Sequence, residues 1–447
     1  MNQKPNVIVF FTDQQRWDTT GVHGNPLGLT PNFDCMAVSG THLYNYFTVQ
    51  PVCGPARACF QTGLYATATG CYKNSVPLPQ ESKTLAHYFN EAGYDTAYIG
   101  KWHLAENEPV LQEERGGYQY WLAANLLEFS SEPYNTILYD NDCKPVKLPG
   151  YRVDAMTDAA IRYIDLHQEK PFFMFLSYLE PHHQNHVDSY PAPDGYEPKY
   201  ISGWTPPDLA ALHGSSSQHL AGYYGMAKRL DEALGRLMDA LKSLDMLDNT
   251  IILFTSDHAC HFKTRNGEYK RSCHESSIRV PTAICGPGFN GGGQIRELTS
   301  LVDLAPTLLD AVGIPVPEYM QGKSVFSLLR GNKANWPEEV FVQISESQVG
   351  RAVRTKRWKY SVTAPDKNGW EDSCSDAYVE DCLYDLENDP YELTNLIGFE
   401  SHQEVSQVMR ERLIRRMIQA GEKEPLIISA PVVKSGQRRV DPHEINK

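Results

Sequence analysis

Asn6-Val7-Ile8-Val9-Phe10-Phe11-Thr12, followed at once by Asp13-Gln14, is the stretch that decides the fold. A run of almost unbroken apolar and β-branched residues reads as a strand buried on both faces, the pattern of a parallel sheet covered by helices. The polar pair at its end sits where open α/β sheets keep their ligands, at the carboxyl ends of the strands.

The same arrangement recurs along the chain. Thr96–Gly100 leads to Lys101-Trp102-His103, Pro171–Leu179 to His182-His183, and Asn249–Thr255 to Asp257-His258. Thr282–Cys285 and Val340–Ile344 are further strand candidates. Helical stretches at Thr84–Ala92, Asp154–His167, Gln218–Leu244 and Asp303–Val312 lie between, the last stopped by Gly313 and Pro315. This alternation predicts an α/β fold with a large, mostly parallel sheet flanked by helices. From Arg351 the pattern changes. Arg351–Val362 and Cys382–Leu386 read as short antiparallel strands, Gln403–Ala420 as an amphipathic helix, and the tail from Glu422 as loop. The expectation is a catalytic domain over 1–348 and a smaller C-terminal α+β subdomain, antiparallel sheet plus helix, over 349–447.

Composition narrows the function. With 447 residues, 41% hydrophobic and 21% charged, the chain has the make-up of an ordinary globular protein. A net charge of −14 speaks against a nucleic-acid partner, which needs a basic face. It also means that an anionic ligand must be captured by a local basic pocket against an unfavourable long-range field. No apolar run reaches the ~18–20 residues that span a bilayer, so no membrane partner is expected. Met1-Asn2-Gln3-Lys4-Pro5 runs straight into the first strand with neither h-region nor cleavage site. The chain as it stands therefore reads as cytoplasmic, or as periplasmic or secreted if a signal peptide has been trimmed. The 10 cysteines include no C-x-x-C pair. They read as free thiols, with a Cys374–Cys382 bridge open only to an oxidising compartment.

Chemistry concentrates around Cys53-Gly54-Pro55-Ala56-Arg57. Pro55 near the first turn of a helix over Ala56–Leu64 places Cys53 at a helix N-terminus, where backbone N–H groups favour an anion. Arg57, one turn on, can return to the same mouth. Asp13-Gln14 and Asp257-His258, each after a buried strand, offer oxygen donors suited to a hard divalent cation, although either aspartate alone reads equally well as a helix cap. Lys101 and His103 are two apart and share a face if their segment is extended.

In order along the chain, Pro5-Asn6-Val7-Ile8 leading to Asp13, Cys53–Gly63, Gly100-Lys101-Trp102-His103-Leu104, Pro181-His182, Ser256-Asp257-His258 and Glu275–Pro281 resemble the formylglycine-dependent type I sulfatases of the alkaline phosphatase superfamily. Leu383-Tyr384-Asp385-Leu386 through Asp389-Pro390 resembles the C-terminal subdomain of that family. The resemblance implies that Cys53 is oxidised to formylglycine by a formylglycine-generating or anaerobic sulfatase-maturating enzyme. It implies a divalent cation, calcium first and magnesium or manganese next, held by Asp13, Gln14, Cys53, Asp257 and His258. Arg57 and Lys101 would then bind the sulfate and the formylglycine hydrate, with Lys270 as a second sulfate contact. His103 would be the base that restores the aldehyde, and His182 the acid that protonates the leaving alcohol.

Two positions depart from that family's pattern. Gln14 stands where many sulfatases carry a second aspartate, which lessens the negative charge of the site and keeps phosphonate monoesters and phosphodiesters in play. Ala259 replaces a glycine, a change tolerated where its φ is negative. The expected substrate is a sulfated carbohydrate. His183, His261, Lys263 and Arg265 are candidates to read its hydroxyls or carboxylates, and the aromatic stretch Tyr178–Tyr200 is either a sugar-binding wall or packing. An unmodified sulfated-glycan-binding protein is the alternative outside enzymes.

Overall fold

The computed structural model describes residues 4–445. Met1–Gln3, at the start of the leader reading, and the final two residues of the tail lie outside the described residues. Ten strands form one sheet. In spatial order they are Gly293–Ser300, Thr41–Phe47, Ala283–Cys285, Thr250–Ser256, Asn6–Thr12, Phe172–Ser177, Asp95–Lys101, Tyr120–Ala124, Thr136–Tyr139 and Pro145–Leu148. The five strands from Thr250–Ser256 to Tyr120–Ala124 run parallel.

The apolar runs are apolar for the expected reason. Val7, Val9 and Phe11 face one core with Ala58, Phe89 and Leu308, from helices on that side of the sheet. Ile8 and Phe10 face a second core with Phe33, Ala155, Leu230 and Leu237 from helices on the other. All five strand residues are fully buried. Large aromatic and aliphatic side chains buried on both faces dominate the hydrophobic contribution here, about 1.5–3 kcal/mol for each one fully removed from water.

Register brings the strand ends together. Thr12 pairs with Ser256 and Phe11 with Ser177, while Gly100 also pairs with Ser177. Asp13, Asp257 and Lys101 therefore leave the sheet side by side. Gly100 makes this approach possible. Its φ is +110°, and a Cβ there would lie 2.0 Å from the Ser177 carbonyl oxygen.

A second sheet contains Val340–Ile344, Gly350–Arg354, Trp358–Thr363 and Ala377–Asp385 in antiparallel order, with Leu426–Ile428 added in parallel. Two expectations change here. Val340–Ile344, grouped from its apolar sequence with the first sheet, is the edge strand of the second. An apolar run of this length does not say which sheet will bury it. Part of the tail beyond Glu422 is a strand, not loop. The Gln403–Gln419 helix packs Val405, Met409, Leu413 and Met417 against Trp358 and Tyr360, in the same core that runs under the first sheet. All the cysteines are free, and Cys374 is exposed. Cys382 instead faces Cys273, sulfur to sulfur at 3.7 Å, so the Cys374–Cys382 bridge is not made.

Candidate active site

The Cys53–Thr62 helix begins with Cys53 as its first helical residue. Val52 has no side chain to cap it, and Asn74 does so from outside, its Oδ1 accepting from the Gly54 N–H at 3.0 Å. The free end of this helix, with Cys53 buried at it, points into a ring of charged groups. Lys270 Nζ lies 2.8 Å from Cys53 Sγ, His258 Nε2 3.2 Å and Asp13 Oδ1 3.5 Å. Burial and Asp13 push the thiol up, but Lys101, Lys270 and His258 outweigh them and bring it down to about 7.

Asp13, Cys53, Asp257 and His258 each turn one donor atom into a common space, all within 4.8 Å of one another. The outer oxygens of the two carboxylates are held from behind. Arg57 donates to Asp13 Oδ2 at 3.0 Å and to Asp257 Oδ2 at 3.4 Å, and Lys101 donates to Asp13 Oδ2 at 2.8 Å. Asp257 Oδ1 accepts from the backbone N–H groups of Gln14 and His258. His258 Nδ1 lies 2.9 Å from the Ala259 carbonyl oxygen, so Nδ1 carries the proton and the Nε2 lone pair faces the cluster. Gln14 donates its amide N–H to Tyr190, while its Oε1 is buried without a partner. A buried amide oxygen left without a partner, on the residue that follows Asp13, fits a divalent cation. Electrostatics agree. Burial and Asp13 together raise Asp257 to about 7, since two carboxylates in a dry space cannot both ionise easily without a cation. For Asp13 itself burial acts upward, but Lys101, His182, Arg57 and Lys270 hold it well below the usual carboxylate range.

The other predicted residues are distributed as follows. Lys270 Nζ also reaches His182 Nε2 at 3.0 Å, and His182 Nδ1 lies 2.7 Å from the His183 carbonyl oxygen. Burial and Lys270 keep His182 well below the usual imidazole value. Lys101 and His103 do converge, though not because their segment is extended. His103 has a φ of +59°, a left-handed turn that swings its ring back, with its N–H donating to the Asn125 carbonyl at 2.9 Å. Arg57 is 1% exposed and clamps both carboxylates, Asp13 among them, beside Cys53. His183 stacks on His182, ring centroids 4.3 Å apart, and lies 4.5 Å from the Tyr269 ring. Lys263 lies over Tyr269 and pairs with Asp188 at 2.8 Å, partly open to solvent. Ala259 is not among the left-handed residues.

Two expectations are corrected, and one open alternative is resolved. His261 is fully buried behind the site, with Nε2 2.9 Å from the Lys270 carbonyl oxygen. It positions the chain of Lys270 and does not face a ligand. Arg265 spends its guanidinium on the carbonyls of Tyr391 and Glu392 in the second sheet's region. The aromatic stretch from Tyr178 is mostly packing: Tyr178 lies against Phe10, and Tyr190 against Tyr223 and Phe262.

The structure adds one residue. Glu128, on the short Leu127–Ser130 helix, is 2% exposed and pairs with Lys101 Nζ at 2.9 Å. The same oxygen lies 3.8 Å from His103 Nδ1, and Glu128 Oε2 has no partner. Burial would raise Glu128, but Lys101 and His103 hold it at about 2. Burial and Lys101 in turn lower His103 to about 3, so it is a neutral base near pH 7.

A helix-start nucleophile position, a carboxylate pair and a fence of cations define an ester hydrolase built to hold an anion beside a cation site. The sulfatase family profile matches residues 5–314, and that of the N-sulphoglucosamine sulphohydrolase C-terminal region matches 267–419. The chain belongs to the sulfatase family of the alkaline phosphatase superfamily and is a sulfuric ester hydrolase. It is 29% identical to an ulvan-active sulfatase of Formosa agariphila, over 94% of this chain and 82% of that one. It is 25% identical to an N-acetylglucosamine-6-O-sulfatase of Bacteroides thetaiotaomicron, over 89% and 83%. The solved structure of a sulfatase from Bacteroides fragilis superposes with a TM-score of 0.81 at 23% identity, covering 94% and 97%. Among the described residues no helix is long and apolar enough to cross a membrane.

Proposed function

We propose that this chain removes sulfate from a sulfated carbohydrate, using Cys53 after its conversion to formylglycine by a maturation enzyme of the formylglycine-generating or anaerobic kind. The observation that carries this reading is Cys53 at a helix start with Lys270 at 2.8 Å and a carboxylate pair beside it. Formylglycine, once hydrated, supplies an oxygen nucleophile where the thiol now stands. Asp13, Asp257, His258 and Gln14 would hold a divalent cation, calcium before magnesium or manganese. That ion supplies charge neutralisation for the sulfate and favours the ionised nucleophile.

The chain's own residues do the rest. Lys270 and Lys101 hold the sulfate oxygens, and Arg57 fixes the carboxylates so that their inner oxygens stay aimed. His182 keeps its proton on Nδ1, against the His183 carbonyl, and accepts from Lys270 at Nε2. The hydrogen-bonded Lys270–His182 pair therefore delivers the proton to the leaving alcohol oxygen. His103, neutral and with its backbone N–H fixed on the Asn125 carbonyl, takes the proton whose removal restores the aldehyde. His183 and Lys263 line the rim on the acid side and are the candidates to touch the sugar.

A carbohydrate is favoured because a relative covering most of this chain is an N-acetylglucosamine-6-O-sulfatase. The test is a parallel assay of the formylglycine-bearing enzyme on an aryl sulfate, an aryl phosphodiester and defined sulfated mono- and oligosaccharides. Sulfate esters are expected to be preferred. A more than tenfold preference in kcat/KM for the phosphodiester would assign the site to phosphoryl chemistry instead.

A further inference from the structure

Residues 364–376, which connect two strands of the second sheet, do not stay with that sheet. They reach across to the segment beside the Cys53 helix and are fastened there. Lys73 Nζ donates to the Trp370 carbonyl, and Tyr72 Oη donates to the Glu371 carbonyl at 2.9 Å. The Glu346 N–H donates to the Gly369 carbonyl at 2.9 Å. The approach is so close that a Cβ on Gly369 would sit 2.9 Å from Glu346 N and 3.0 Å from the Gln348 backbone. A long connection bolted down at its tip has a job that loop closure alone does not require.

What the bolts present is Trp370, 44% exposed. The Arg271 guanidinium lies 5.3 Å from its ring centroid, and Arg271 follows Lys270 directly in the chain. Arg271 is itself pinned: its N–H donates to the Pro51 carbonyl at 3.2 Å, and its side chain pairs with Glu346 at 2.5 Å. Contacts run unbroken from nucleophile to tryptophan. Asn74 caps Gly54, Glu346 Oε1 accepts from the Asn74 N–H at 2.7 Å, and Glu346 holds Gly369. An exposed indole held at its backbone by Lys73, with the Arg271 guanidinium against its ring, suits a polar ring with one apolar C–H face and anionic neighbours. A pyranose of a sulfated chain has that character.

We propose that Trp370 is a stacking platform for the sugar adjoining the one whose sulfate is removed, so that the enzyme prefers oligosaccharides to monosaccharide sulfates. This rests on the carbohydrate reading above. The test compares wild type, Trp370→Phe and Trp370→Ala on 4-nitrophenyl sulfate and on ulvan, carrageenan and heparin tetrasaccharides with their constituent sulfated monosaccharides. For any tetrasaccharide cleaved, Trp370→Ala should lower kcat/KM about three- to tenfold, the range of one aromatic contact. Trp370→Phe should keep most of the rate, and both variants should match wild type on the monosaccharide and the aryl sulfate. Equal losses on all substrates would mean that Trp370 only packs its loop, and no loss on the tetrasaccharide would also overturn the platform. Wild type that cleaves the aryl sulfate but no sugar would sink the carbohydrate reading, and the platform with it.

Discussion

Lys270 Nζ stands 2.8 Å from Cys53 Sγ and, with the same ammonium, 3.0 Å from His182 Nε2. One cation thus joins the position of the nucleophile to that of the acid. In protein made without the maturation machinery, this contact helps hold the Cys53 thiol near 7 against its burial. Lys270→Ala removes a positive charge that favours the thiolate, so the thiol should titrate at higher pH. Absorbance at 240 nm, taken as the difference from Cys53→Ala, reads this directly. An unchanged titration would show that Lys270 does not act on the sulfur.

Glu128 should matter to both rate and acid stability. Against burial, Lys101 and His103 hold it at about 2, below its unfolded value of 4.5. A carboxyl lowered on folding adds stability that is fully present above 4.5 and is lost as pH falls through about 2. Glu128→Gln should cost about 2 kcal/mol near pH 7, less than a fully orphaned buried charge because Lys101 keeps Asp13. The gap from wild type should close between pH 4.5 and 2 in denaturant titrations. The variant should also lose about ten- to a hundredfold in kcat through misplacement of Lys101 and His103. A gap that stays constant with pH would remove the ion pair from the account.

The contrast between Glu128 and the other site residues shows what the sequence could carry. Asp13 and Asp257 follow, and Lys101 ends, strands whose central runs, Val7–Phe11, Ala97–Ile99 and Ile251–Phe254, are apolar and buried on both faces, which makes them legible. Tyr120–Ala124 is shorter, and its first residue is only partly covered. Its sequence does not read as a buried strand, so nothing marks Asn125 and Glu128 as strand-end residues. Thr41–Phe47 and Gly293–Ser300 are not legible in the sequence for a related reason. They lie at one margin of the sheet and carry polar residues such as Asn45, Gln294 and Glu297 on a face that meets water. His261 shows the opposite failure. Its sequence position between Asp257 and Lys270 suggested a pocket residue, whereas only the three-dimensional path of the loop turns its ring to the Lys270 carbonyl.

Cation affinity should depend on pH in a defined direction. Burial and Asp13 raise Asp257 to about 7, so below that pH a cation must displace a proton. Calcium binding to chelator-treated enzyme should strengthen about tenfold per pH unit up to about 7 and then level off, because one proton is released per ion. Calorimetry at pH 5.5 to 8 checks the slope. Affinity that is flat across this range would show that Asp257 is not the group exchanging its proton for the ion.

His182→Ala should separate leaving groups. Sugar alcohols need a proton as they depart, and activated phenols do not. The variant should lose about a hundredfold or more on a sugar sulfate and less than about tenfold on 4-nitrophenyl sulfate. Comparable losses on both would argue that the Lys270–His182 pair binds the sulfate and does not protonate the alcohol.

The most direct test of the account is the mass of the peptide carrying Cys53, taken from a preparation that hydrolyses sulfate esters. Conversion of the thiol to formylglycine should lower that mass by about 18 Da, whereas the competing oxidations of cysteine raise it. A residue 53 that still alkylates as a free thiol throughout a fully active preparation would contradict the assignment of Cys53 as the nucleophile's source.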